Sequence, residues 1–293
     1  MTSGLLIINK PKGITSHDVV AQVRKITGQR RVGHTGTLDP MATGVLVLCL
    51  GQTTRLIEYA MASRKQYRAV VRFGVTTDTL DAEGNELARC DASALTAAQL
   101  QALLPAFTGQ IEQRPPAFSA IKQDGQPLYK RARAGQLEEP PPRPVTIYQL
   151  DWLNWQPPDL TVAVACSTGT YIRSLARDLG AAAGTGAHLV GLERTANGNW
   201  TLAQAVSLAE LWEQPDAWRS RLLPPDEAVA HLPRLTLSAE ESIHVKHGRT
   251  LALPNAPQNH GLLRVYAPDH TFLAILTRDD TADLWHPNKV FQT

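Results

Sequence analysis

Residues 33–50, "GHTGTLDPMATGVLVLCL", pass from a turn-rich loop into an unbroken apolar run. "VLVLCL" is too short for a core helix and rich in Val and Leu, so it reads as a strand buried on both faces of a sheet. The preceding half crowds Thr35, Thr37, Thr43, one imidazole (His34) and three glycines around a single acid, Asp39. Pro40 lacks a backbone donor and biases Asp39 away from helical conformation. A carboxylate on a tight loop beside a buried strand could be a nucleophile, a base, a metal ligand or the acceptor of an Asx turn. The loop alone leaves all four open.

Working outward, "LLIIN" (5–9) predicts another buried strand and "KPKG" a turn. Ser16 then caps a helix whose Val19, Val20, Val23 and Ile26 share one face until Gly28. "TTRLIEYAMAS" predicts a short helix. "KQYRAVVRF" (65–73) alternates, with Tyr67, Ala69, Val71 and Phe73 on one face and charged or polar residues mostly on the other. An acidic loop, "GVTTDTLDAEGN", precedes a helix capped by Thr96 and carrying Leu100, Leu103, Leu104 and Phe107. Residues 113–136 hold five bases and one acid around two prolines and a DG turn, and read as an excursion from the core. "EEPPPRPV" leads back into strands "TIYQLDWLNW" and "LTVAVAC". Thr170 is placed to cap the helix of "YIRSLARDLG", "HLVGLERTANGNW" adds a strand, and Ser207 with Glu210 forms a capping-box pattern. After about residue 233 short alternating runs predict a small β-barrel module. The expected class is α+β: a mixed, largely antiparallel central sheet with flanking helices, with domains at 1–232 and 233–293.

A chain of 293 residues, 43% of them hydrophobic, can bury a full core. Cys49, Cys90 and Cys166 form no CxxC pair, which argues against a disulfide framework or structural zinc and for a reducing cytoplasm. The N-terminal apolar run is broken by Asn9, Lys10 and Pro11, and no stretch approaches the ~18 apolar residues of a membrane span. A soluble, cytoplasmic protein is expected. The net charge of +2 hides sectors: residues 1–75 carry eleven Lys and Arg against three acids, and residues 76–112 carry six acids and one base. Such a basic sector fits a polyanion-binding face, or merely a solvated one.

Several chemistries find no support. No histidine or second carboxylate stands at ligand spacing from Asp39, and His17 and His34 are separated by a helix. There is no G-x-S-x-G elbow for a serine triad. "GTG" at 184–186 lacks the rest of a dinucleotide fingerprint and reads as a turn. A two-carboxylate glycosidase would need a second acid such as Asp81 or Glu83, which nothing in the sequence brings to Asp39.

Seven ordered segments, "INKPKGITSHDVV", "RVGHTGTLDPMATGVL", "KQYRA", "GVTTDTLDAEG", "PPAFSAIKQDGQPLYKRARAG", "CSTGTYIRSLARDLG" and "GLERTANG", together resemble the TruB family over residues 5 to about 200. That resemblance implies an isomerase that converts the T-loop uridine at position 55 of transfer RNA to pseudouridine. It implies Asp39 as the catalytic residue, Arg173 as its ion partner and Tyr67 as the aromatic stacked on the flipped base. Tyr171 and Leu192 match positions lining the pocket, and His34 matches the residue that fills the space vacated in the loop. Without the resemblance, Tyr67, Tyr171 and Leu192 would be read as core. Lys10, Asp178 and Arg194 are left out of the site, since packing, capping or surface pairing accounts for them equally well. The excursion matches the family's thumb-like RNA-binding insertion, with Lys122, Lys130, Arg131 and Arg133 expected on phosphates. The C-terminal segment resembles a PUA-like module.

The chemistry agrees with one carboxylate. Pseudouridine formation breaks C1'–N1, turns the base and joins C1' to C5, with no net redox and no second substrate, so no cofactor or metal is expected. Attack on the sugar, attack on the base, and removal of a sugar proton all remain open. The expected partner is the T-arm of transfer RNA, with no membrane and no obligate protein partner, the enzyme acting as a monomer. Two departures from the family pattern, Glu193 for a basic residue and Arg55 for lysine, bear only on local RNA contacts. A tRNA-binding chaperone and an N-glycosidase are the other functions these residues allow.

Overall fold

The computed structural model describes residues 2–61, 63–119, 121–123, 125–128, 131, 140–257, 260–279 and 281–291. Its elements run β1 (Gly4–Lys10), α1 (Ser16–Thr27), β2 (Val32–His34), β3 (Thr43–Leu50), α2 (Ile57–Ala60), β4 (Lys65–Phe73), β5 (Val75–Thr77), β6 (Glu86–Arg89), α3 (Ala97–Leu103), β7 (Gly109–Gln113), β8 (Lys122–Gln123) and β9 (Gln126–Pro127). They continue with β10 (Arg143–Gln156), β11 (Asp159–Cys166), α4 (Ile172–Ala182), β12 (Ala187–Asn197), β13 (Trp200–Thr201), β14 (Val206–Ser207), α5 (Leu208–Glu213) and α6 (Trp218–Arg221). The apolar runs β1 and β3 lie side by side, antiparallel, at the buried centre.

The central sheet has the order β14-β1-β3-β12-β4-β11-β10-β7, with β2 on β3 and β13 on β12. Only β1/β14 and β3/β12 are parallel, so the sheet is mixed and largely antiparallel, as the sequence predicts. Because successive side chains on a strand point to opposite faces, β1 serves two cores. Leu6 and Ile8 pack with Val19, Val23, Leu175 and Leu179 under α1 and α4. Leu5 and Ile7 pack with Val45, Val47, Leu56, Trp200 and Val229 on the other side. The β3/β12 junction is a seam, paired in register only at Thr43/Glu193 and Gly44/Arg194. The loop carrying Asp39 enters β3 at this seam.

Three local expectations shift by a residue or a partner. Thr15, not Ser16, caps α1 through a reciprocal box with Asp18, which frees the Ser16 hydroxyl to turn inward. Thr170 does not cap α4; Tyr171 is the cap residue, and its backbone is satisfied from β7 by the Gln113 amide. Ser207 does accept from the Glu210 backbone N–H, but the Glu210 carboxylate goes to Arg221 instead of closing a box.

The C-terminal part contains β15 (Arg234–Thr236), α7 (Ala239–Lys246), β16 (Leu262–Tyr266), β17 (Phe272–Asp279) and β18 (Leu284–Val290), in a four-stranded sheet of the order β15-β16-β17-β18 with its own core around Leu263, Val265 and Trp285. It docks on α2 and the turn before it: Ile275 and Phe291 join the core of Leu56 and Ala60, and Lys289 pairs with Glu58 at 3.1 Å. Arg55 is engaged within the chain, donating to the Val290 carbonyl at 2.6 Å over the Phe291 ring. Among the described residues no helix is long and apolar enough to cross a membrane.

Candidate active site

The Asp39 loop is held by buried side chains reaching its backbone from three directions. Lys10, at the end of β1 and fully buried, donates from Nζ to the carbonyls of Ala42 (2.6 Å), Pro11 (3.0 Å) and Pro40 (3.2 Å). The Ser16 hydroxyl donates to Leu38 O and accepts from Leu38 N, at 3.0 and 2.8 Å. Arg194, on β12, donates to Val45 O (2.7 Å), Gly36 O (3.0 Å) and Thr37 O (3.4 Å). Buried Asn197 ties Thr35 to Ser63. At Gly44, where φ is +102°, a Cβ would collide with the Arg194 backbone, so glycine lets loop and strand approach this closely.

Asp39 itself stays one-third exposed, while its partner Arg173 on α4 is buried. Arg173 Nε lies 2.9 Å from Oδ2, and Nη2 donates to Oδ1 at 3.3 Å. The same guanidinium donates to Thr79 O (3.0 Å) and Phe118 O (2.9 Å) and stands 3.5 Å from the Asp81 carboxylate. One arginine therefore gathers the Asp39 loop, the acidic loop after β5 and the root of the excursion. Asp81 is buried and held by the Thr79 hydroxyl and the Glu83 N–H, at 2.6 and 3.0 Å. Leu80, beside it, adopts a left-handed φ of +64°, an uncommon state for a bulky residue that the surrounding hydrogen bonds must enforce.

Tyr67 is buried on β4, in register with Arg194. Burial pushes its hydroxyl above the ordinary tyrosine range, with the Arg194 guanidinium beside it pulling the other way and Asp39 reinforcing the rise. It is thus a neutral phenol, suited to stacking and donating rather than to acting as a standing base. Leu192, on β12 opposite Ala69, packs partly buried against the main core. Tyr171 opens α4 beneath the Arg143 guanidinium, 5.2 Å from its ring centroid. The structure thus brings Asp39 and Arg173 into contact, with Tyr67 on β4 near enough to feel the Asp39 charge, and with Leu192 on β12 and Tyr171 at the start of α4.

His34, at the end of β2, meets exposed His17 edge-on at 5.6 Å and accepts from Gly36 N–H at 3.3 Å. Burial, with His17 and Arg194 adding to it, pushes its pKa down to about 4. The ring should titrate with an NMR midpoint near 4; a midpoint at the ordinary 6.5 would contradict its burial. As pH falls from 6.5 towards 4 the unfolded chain takes a proton that the folded chain refuses, so this histidine lowers stability across that window and not above it.

The excursion is anchored at its root, where Ser174 and Arg177 of α4 donate to Arg114 O. β8 and β9 pair antiparallel, with Gln123 opposite Gln126, which places Lys122 on β8, and Asp124 of the expected DG turn lies outside the described residues. Arg131 is partly buried, and Lys130 and Arg133 lie outside the described residues. Lys10 and Arg194, left out of the site on sequence grounds, and Asp81, weighed there only as a glycosidase's second acid, are buried and contact the Asp39 loop or its arginine partner. Lys10 carried one signal: it falls in phase with buried Leu6 and Ile8 at the end of an apolar strand. Arg194 reaches its carbonyls, and Asp81 reaches Arg173, across distances of chain that no local pattern encodes.

A carboxylate clamped by a buried arginine has the chemistry to attack an electrophilic carbon or to take a proton. Comparison with known proteins narrows this. The N-terminal domain model of the TruB family pseudouridylate synthases matches residues 24–172, and the tRNA pseudouridylate synthase B C-terminal domain model matches 173–230. A tRNA pseudouridine synthase B from Pseudomonas aeruginosa is 44% identical, covering 93% of this chain and 91% of its own; one from Dehalococcoides mccartyi (strain ATCC BAA-2266) is 42% identical, covering 99% and 96%. Among solved structures, an "H/ACA RNP bound to a substrate RNA containing 2'-deoxyuridine" superposes with a TM-score of 0.75 at 25% identity, over 99% of this chain and 85% of that one. A Cbf5-Nop10-Gar1 complex gives 0.72 at 27%, over 94% and 78%. The chain belongs to the TruB family of pseudouridylate synthases.

Proposed function

We propose that this protein is a tRNA pseudouridine synthase that isomerises the T-loop uridine at position 55, with Asp39 as its catalytic residue. The observation that carries this is the two-point Asp39–Arg173 contact at the β3/β12 seam beside Tyr67, in a chain of this family. Uridine must leave the stacked loop to reach that seam, at an unstacking cost of a few kcal/mol. Tyr67 stacks on the extruded base, Tyr171 and Leu192 line the pocket, and neutral His34 fills the vacated space. At the reacting centre C1'–N1 breaks, the base turns, C1'–C5 forms, C5 gives up its proton and the freed N1 takes one. Asp39 serves by attack or by proton removal, and Arg173 offsets the cost of holding its charge against the base.

Residues 1–232 form the catalytic domain and 233–293 a PUA-like module, supported by the separate four-stranded sheet of the C-terminal part. The insertion at 113–136 closes on the RNA stem, where Lys122, Lys130, Arg131 and Arg133 contact phosphates. The enzyme acts on the T-arm as a monomer in the cytoplasm, without cofactor, metal or protein partner. The test is to incubate the protein with an unmodified T-arm stem-loop and map pseudouridine by base-specific adduct formation and primer extension. A stop at the T-loop uridine is expected; RNA binding without a stop would favour a chaperone instead.

A further inference from the structure

Arg194 stands between the two halves of the site. β12 lies between β3 and β4, and Arg194 is the residue in register with Gly44 on one side and Tyr67 on the other. Its backbone touches the glycine that leads out of the Asp39 loop. Its side chain, 1% exposed, returns over the same loop to the carbonyls of Gly36, Thr37 and Val45. Three different nitrogens of one rigid fork thus meet three acceptors, an arrangement that suits a guanidinium and that a lysine ammonium cannot reproduce. The cost of burying this cation is raised by its neighbours, since it lies close enough to Lys10, Lys65 and His34 to oppose a charge on each. A core built for stability alone would not bury a guanidinium so close to two lysines.

We propose that Arg194 is a positioning residue for the isomerisation: it fixes the Asp39 loop against the Tyr67 strand, and so sets where the carboxylate stands relative to the stacked base. This rests on the reading of Asp39 and Tyr67 as the groups that meet the uridine. Arg194 acts through the loop and the tyrosine and need not touch RNA. Removing its three donors lets the loop relax by on the order of 1 Å at the seam, where only two register positions hold β3 to β12.

The experiment compares wild type, Arg194→Gln, Arg194→Lys, Tyr67→Phe and both doubles by single-turnover pseudouridine formation at saturating T-arm RNA, with RNA affinity and thermal unfolding measured on each. Arg194→Gln should lose about 10²-fold in rate, as misplacement near 1 Å does, while RNA affinity stays within about threefold. Arg194→Lys should fall between, keeping the charge but not the fork. Adding Tyr67→Phe to either Arg194 variant should cost much less than it does in wild type, because both changes then spoil one shared geometry. A merely structural role would lower the melting temperature and leave the two losses multiplicative. Multiplicative losses, a wild-type rate in Arg194→Gln, or an affinity loss matching the rate loss would each overturn the proposal. If Arg194→Gln shows no cooperative unfolding, the lysine variant and its double carry the same test. Wild type and Asp39→Ala run alongside: no product from wild type, or full product from Asp39→Ala, strikes the proposed function, whereas normal results for both leave Arg194 as the only claim at stake.

Discussion

Asp39→Ala is expected to form no detectable pseudouridine in a T-arm RNA that it still binds within a few fold of wild type. The loss expected is at least about 10⁴-fold, the range seen when the one group that attacks or takes the proton is removed. Asp39→Asn should be as inactive, since an amide of the same shape can do neither. Asp81, the other carboxylate on Arg173, cannot step in: it is buried and committed to the Thr79 hydroxyl and the Glu83 N–H. The scaffold should survive, because Arg173 keeps Asp81, Thr79 O and Phe118 O, and the loop keeps its Lys10, Ser16 and Arg194 anchors. Activity and binding therefore separate, and an equal loss of both would contradict the role given to Asp39.

Arg173→Ala should damage both stability and rate. It strips the buried Asp81 and the partly exposed Asp39 of their shared counter-ion and leaves two carbonyls without a donor. Breaking a buried pair by removing one partner costs about 3–5 kcal/mol, which in a chain of this size lowers the melting temperature by on the order of 10 °C. The rate should fall by about 10²–10³-fold in protein that remains folded, comparable with the loss of one preorganised donor. Arg173→Lys restores charge but can reach only one side of this four-point arrangement, so it should recover stability better than rate. A melting temperature within a few degrees of wild type together with a near-normal rate would show that Arg173 does not hold the site together.

Much of this was legible in order along the chain. The doubly buried β1 and β3, the alternation of β4 and the face of α1 follow from apolar periodicity, because each element's burial is written in its own residues. The helix starts were less legible. Thr15 and Ser16 are equally good caps by composition, and the choice was made by Leu38, whose backbone needed the Ser16 hydroxyl. The start of α4 is satisfied by Gln113, 58 residues away. Asp39, Arg173 and Tyr67 were found through the ordered motifs rather than through spacing. Lys10, Arg194 and Asp81 escaped because their partners are mostly backbone carbonyls or an arginine on distant elements, and a charged residue alone says nothing about such contacts. In the C-terminal part the sequence does show short strands, and the structure places them in a four-stranded sheet.

The most direct test uses T-arm RNA tritiated at C5 of its uridines, in which pseudouridine formation must release the label to water while the base stays attached. Wild type should release one equivalent from the T-loop uridine with no free uracil, and Asp39→Ala should release none. Free uracil with an abasic site, or tight binding by wild type with no release, would contradict the assignment of this chain as an isomerase acting through Asp39.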